Sequence, residues 1–138
     1  MSFLLDTNVI SEARRPQGHP GARAWLASVP TDALFVSVLV VGEIRRGIER
    51  LRPRDPSQAA IYEGWLTALR RSYADRVLPI TTEIAEEWGQ MNVPDPLPTV
   101  DGLMAATAKI HGLTLVTRNT RDFVRTRVPL LNPFVPPP

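Results

Sequence analysis

At 138 residues, 43% of them apolar, the chain is long enough to bury one core and too apolar to be disordered. It contains no cysteine, which excludes disulfides, thiolate metal sites and cysteine catalysis, and no apolar run approaches the roughly 20 residues that span a bilayer. The formal net charge is only +2, yet every basic residue except Lys109 is arginine, whose planar fork suits phosphate.

A GC-rich coding sequence would give the same arginine bias and the 14 prolines, so functional weight falls on two clusters. One is Arg45, Arg46, Arg50, Arg52 and Arg54; the other is Arg118, Arg121, Arg125 and Arg127. The N-terminus lacks a basic stretch followed by a long apolar segment, so no secretory signal is expected and the default location is the cytoplasm. Residues 1–134 are expected to form a single α/β domain, with 135–138 a proline-rich tail.

Residues 2–6 read as a strand. Phe3, Leu4 and Leu5 run straight into Asp6, the pattern of a buried strand whose end opens on a site. Asn8 to Arg15 follows as a short helix closed by Pro16 and Gly18. Pro20 to Ser28 reads as a second helix, anchored by Trp25 and Leu26. Leu34 to Val36 is a short apolar strand, and Ser37 suits a helix N-cap. From about Val38 to Leu51 the apolar residues Val41, Ile44, Ile48 and Leu51 recur at helical spacing, with Glu43 off that stripe.

A connector at 53–56 leads to a helix from about Ser57 to Tyr73. Its stripe of Tyr62, Trp65, Leu66, Leu69 and Tyr73 fits core or dimer packing. Residues 76–80 form a short strand, and Thr81 or Thr82 caps a helix to about Met91. A loop over 92–98 is stiffened by Pro94, Pro96 and Pro98. Thr99 is read as the cap of a helix to about His111, and Gly112 as its stop. Residues 113–116 are the last clear strand; a helical turn from Thr120 to about Arg125 and an edge strand at Leu130-Leu131 complete the chain. Strands alternating with helices indicate a mainly parallel sheet covered on both faces.

Four acids lie at or just beyond strand-to-helix junctions: Asp6, Glu43, Asp101 and Asp122. In a parallel sheet those junctions share one edge, so all four can reach one cleft. Each also has a purely structural reading. Asp6, Asp101 and Asp122 can cap or complement helix N-termini, and Glu43 can pair with Arg46 or Arg50. Glu12, Glu86, Glu87 and Asp95 are weaker candidates, and His19 and His111 have no metal-motif spacing. Clustered carboxylates cannot all stay ionised without a cation. Oxygen ligands without His or Cys point to Mg²⁺, with Mn²⁺ a second choice, and to phosphate chemistry. Thr7, Asn8, Ser37, Thr117 and Asn119 are short polar residues at the same ends, suited to orienting carboxylates or waters. Arg46, Arg50, Arg118 and Arg121 are candidates for contacts to a phosphate backbone.

Four segments resemble the motif blocks of PIN-domain ribonucleases, in family order: Leu4–Glu12, Val41–Glu49, Asp101–Ala108 and Leu115–Phe123. The likeness is strongest to the VapC toxins of type II toxin–antitoxin systems, in particular the FitB-like group. The resemblance implies a three-layer α/β/α fold and a Mg²⁺- or Mn²⁺-dependent endoribonuclease that hydrolyses RNA phosphodiesters. It implies a homodimer neutralised by a cognate VapB-like antitoxin, with DNA contacted only through that antitoxin. On the matching positions it makes Asp6, Glu43, Asp101 and Asp122 the catalytic and metal-binding acids, supported by Asn8 and Thr117-Arg118-Asn119. Gly102 stands where many relatives have alanine.

Two rival folds fit poorly. Haloacid-dehalogenase-like phosphatases need a second Asp two residues after the first, where this chain has Asn8. A receiver-like domain needs paired early acids and a late lysine, and Lys109 lies inside a helix. A third alternative keeps the family but not the activity: a silent PIN domain acting with its antitoxin as a DNA-bound repressor.

Overall fold

The computed structural model describes residues 1–136; Pro137 and Pro138, half of the expected proline-rich tail, lie outside them. Five parallel strands form one sheet in the order β3-β2-β1-β4-β5. They are β1 Phe3–Leu5, β2 Leu34–Ser37, β3 Val77–Leu78, β4 Thr114–Val116 and β5 Leu130–Leu131. The helices that cover it are α1 Thr7–Arg14, α2 Pro20–Ser28, α3 Val38–Leu51, α4 Pro56–Tyr73, α5 Thr82–Met91 and α6 Thr99–His111, with a 3-10 helix at Thr120–Thr126. The expected three-layer α/β/α architecture with a parallel sheet is what the chain adopts.

The central strand β1 is buried at all three positions, as are Leu115 and Val116 beside it. Continuous apolar runs of this kind are what a sheet covered on both faces requires. Strand order runs outward from β1 through β2 to β3, then returns to β4 on the other side. That reversal puts the topological switch point between β1 and β4, where α/β sheets place their ligands. Asp6 and Thr117 are the residues that leave those two strands, and the Asp6 N–H donates to the Val116 carbonyl at 2.9 Å.

Several boundaries differ from the sequence reading for local reasons. The strand expected over 76–80 is only Val77–Leu78, because Arg76 ends a 3-10 turn and its guanidinium donates to the carbonyls of Thr31, Leu34 and Ser72. The helix after the 53–56 connector begins at Pro56, with Asp55 as its cap accepting from the Gln58 N–H. Thr99 is not the cap of α6: Pro98 holds that position and no side chain caps it. Asn92 organises the approach instead, its amide donating to the Trp88 carbonyl and its oxygen accepting from the Leu97 N–H. His19, which looks incidental in sequence, caps α2 by accepting the Ala22 N–H at Nδ1. The Tyr62–Tyr73 stripe is core: Trp65, Leu69 and Tyr73 pack on the main cluster, and Tyr62 joins a smaller one around Ile48 and Leu66.

Candidate active site

Asp6 is both a cap and a member of the acidic edge. Its Oδ1 accepts the Thr7 N–H at 2.8 Å, starting α1. Its Oδ2 accepts the Thr117 hydroxyl at 2.8 Å and the Asn8 amide at 3.3 Å. Thr117 is fully buried, and its oxygen also accepts the Asn119 N–H at 3.0 Å. Asn8 spans the switch point: its Nδ2 reaches Asp6 and Thr117, and its Oδ1 accepts the Arg118 N–H at 3.1 Å. Two short polar side chains and one backbone N–H from the two central strand ends thus fix one carboxylate.

Glu43 does not pair with Arg46 or Arg50 along its helix. Its Oε1 accepts the Thr7 hydroxyl at 2.8 Å, a contact across 36 residues that draws α3 onto the start of α1. Nearby, Arg45 and Arg52 bind Glu49 and Glu63 and tie α3 to α4. Asp101 sits half-buried in the first turn of α6. Burial, and then the charges of Asp6, Asp122 and Glu43, push its carboxyl above the ordinary carboxylate value. Asp6, Asp122 and Glu43 thus add to the cost of charging Asp101. Asp122 is exposed in the 3-10 helix, held through its N–H to the Asn119 carbonyl at 3.0 Å. Among the described residues, no three acidic or histidine side chains stand close enough to enclose an ion directly. Unpaired carboxylates repel one another, and Mg²⁺ keeps several waters while using only one or two of them. The loose oxygen set fits such a hydrated ion.

The supporting residues divide. Thr7, Asn8 and Thr117 bond the acids directly. Ser37 is buried and its hydroxyl accepts the Leu39 N–H, so it builds the turn into α3 rather than holding a carboxylate. Asn119 contributes its backbone, and its side chain is exposed. Arg118 turns away from the acids: its guanidinium lies 3.8 Å from the Phe134 ring centroid and 3.6 Å from Glu12. Arg46, Arg50 and Arg121 are exposed.

Glu12 has a larger role than its sequence placement suggests. It is only 4% exposed. Its Oε2 accepts the His19 N–H at 2.7 Å, and its Oε1 accepts from Arg15 at 3.3 Å. The His19 N–H, then the charges of Arg15 and Arg118, hold its carboxyl below the ordinary value. The available signal was spacing: Glu12 follows Asn8 by four residues, on one helix face, and Arg118 meets both. Gly18 is required there, since a Cβ would lie 2.5 Å from the Glu12 carbonyl oxygen. Gly102 likewise has a cause: a Cβ would lie 2.9 Å from Trp88 Cδ1.

The PIN domain family profile matches residues 3–129. The chain belongs to the PIN domain family. This PIN domain is 34% identical to Toxin FitB of Neisseria gonorrhoeae (strain ATCC 700825 / FA 1090) over 137 residues, covering 96% of this chain and 98% of that one. It is 27% identical to VapC ribonuclease Y4jK of Sinorhizobium fredii (strain NBRC 101917 / NGR234), covering 97% and 99%. Among solved structures, FitAB bound to an IR36 DNA fragment matches with a TM-score of 0.89 and 31% identity, over 99% of this chain and 98% of that one. The resemblance read from the four sequence blocks is therefore borne out at the level of family and fold.

Proposed function

We propose that this PIN domain is the toxin of a type II toxin–antitoxin pair and acts as a Mg²⁺-dependent endoribonuclease, with Mn²⁺ able to substitute. The observation that carries the reading is Asp6 at the switch point, oriented by Thr117 and Asn8, with Glu43 drawn beside it by the Thr7 hydroxyl. Carboxylates held in this way suit a cation set against phosphate. The ribonuclease and toxin names of the relatives support the same class.

Asp6 and Asp101 would hold the ion, Asp6 in the orientation set by Thr117 and Asn8. When bound, the ion supplies charge neutralisation at the phosphoryl group and eases deprotonation of a water. Glu43, anchored by Thr7, would orient that water or take its proton. Asp122 would complete the acidic wall as substrate arrives. Water adds to phosphorus in line, the P–O3′ bond breaks, and O3′ gains a proton, leaving a 5′-phosphate and a 3′-hydroxyl.

We assign it a cytoplasmic location, a homodimeric state and a VapB-like antitoxin as partner, with DNA reached only through that antitoxin. No described helix is long and apolar enough to cross a membrane, and the matched FitAB structure is a DNA complex. That complex also favours the alternative of a silent domain serving in a DNA-bound repressor. Cleavage of an RNA pool in Mg²⁺ by the purified chain, lost on Asp6→Asn, supports the enzyme. DNA binding with antitoxin and no cleavage supports the repressor.

A further inference from the structure

Beside the acidic edge lies a cavity of about 270 Å³ that no step of the proposed cleavage uses. It falls just short of the roughly 300–1,000 Å³ of small-molecule pockets, which leaves room for one planar ring system. Thr7 and Glu43 form its wall on the acidic side; Arg14, Gly47, Tyr62 and Trp65 are among the residues lining the rest. The Arg14 guanidinium carbon sits 4.1 Å from the Tyr62 ring centroid and 5.3 Å from that of Trp65. It has no carboxylate ion-pair partner among the described residues, in contrast to Arg15, Arg45 and Arg52. A cation positioned against aromatic rings keeps its charge available and offers a stacking surface.

Gly47 is the second unexplained feature. Glycine inside a helix weakens it, and here a Cβ would meet no atom within 4 Å, so packing does not demand it. Gly42, Gly64 and Gly89 have the same open space, but none of them lines this cavity. At Gly47 the missing side chain keeps the cavity open one helical turn beyond Glu43.

We propose that this cavity is a nucleobase subsite: it receives the base flanking the scissile phosphate, stacked on the Arg14–Tyr62–Trp65 wall over the Gly47 floor. An occupant there lies next to whatever the acids bind, because Thr7 and Glu43 border both. On an RNA chain the group next to a phosphodiester is a base, and bases stack on aromatic rings and arginine planes. The inference rests on the ribonuclease reading.

The test uses an unpaired oligoribonucleotide of mixed sequence and a copy carrying one abasic ribose beside the mapped cut. The readout is the ratio of their cleavage efficiencies in Mg²⁺. The wild-type chain is expected to prefer the intact oligonucleotide by about tenfold or more. Gly47→Leu, whose Cβ enters open space, is expected to bring the ratio close to one, and Arg14→Ala to reduce it. Thermal melting of both variants checks the fold, and Gly47→Ala provides a smaller filling of the same site. Cleavage with an unchanged ratio in folded Gly47→Leu would overturn the subsite while leaving the ribonuclease reading intact. The subsite also fails if Gly47→Leu abolishes inhibition by the antitoxin with the ratio unchanged, because the cavity then serves a protein partner. No cleavage of either RNA by the wild-type chain would overturn both.

Discussion

Thr117→Val tests the claim that the orientation of Asp6 is built by its neighbours. Valine keeps the shape of the buried side chain, so no cavity opens; what is lost is the hydroxyl. That hydroxyl donates to Asp6 Oδ2 at 2.8 Å and accepts the Asn119 N–H at 3.0 Å. A hydrogen bond to a charged group contributes about 1.5–3 kcal/mol. Asn119 is exposed, so its freed N–H can turn to water at little cost. A net loss of about 2 kcal/mol follows, which for a domain of this size lowers Tm by roughly 6–8 °C. Removing a residue that orients a metal-binding carboxylate typically costs about 10–100-fold in activity or metal affinity. Thermal melting and RNA cleavage measure the two effects, with Thr117→Ser as the variant that restores the hydroxyl. A folded Thr117→Val protein with wild-type Tm and cleavage would rule out this role for the Thr117 hydroxyl.

Gly102→Ala is expected to lower stability by about 1–3 kcal/mol, the usual range for overpacking, because the new methyl meets the Trp88 ring; an unchanged urea midpoint contradicts this. Glu12→Gln should lower Tm at neutral pH. The Glu12 carboxyl is held below its unfolded value, so its stabilisation is present above that value and is lost as pH falls through the folded one. The gap between variant and wild type should close in acid, and a gap independent of pH sinks the argument. Asp101 has the opposite sign: its carboxyl is raised, so above the folded value its charge opposes folding until a cation arrives. In chelator, Asp101→Asn should therefore melt higher than wild type at neutral pH, and Mg²⁺ should raise Tm less in the variant. A lower Tm for metal-free Asp101→Asn counts against that cost of charging Asp101.

Much of the layout was legible because it depends on short-range pattern. Phe3-Leu4-Leu5 ending on Asp6 names a buried strand and its exit, and a parallel sheet then places successive exits on one edge; Asp101 departs from that expectation, since α6 follows α5 and a proline loop rather than a strand. That Asp6 would be a cap and a site residue at once was not legible, since the two roles use different oxygens of one carboxylate. Contacts across the fold were also hidden. The Thr7 hydroxyl on Glu43, Trp88 against Gly102 and Arg118 turned onto Phe134 join residues whose separation carries no periodicity. Thr99 misled because a threonine before a helical stripe is a fair cap, yet Pro98 with its fixed φ starts the helix without one.

The proposed chemistry has Asp6 and Asp101 hold a cation for RNA hydrolysis, with Glu43 and Asp122 completing the acidic edge. Its most direct test is cleavage of an RNA pool by the purified, antitoxin-free chain, with product ends mapped. Cuts bearing 5′-phosphates are expected in Mg²⁺ or Mn²⁺, abolished by chelator and by Asp6→Asn. Cleavage that survives both chelator and Asp6→Asn would contradict it.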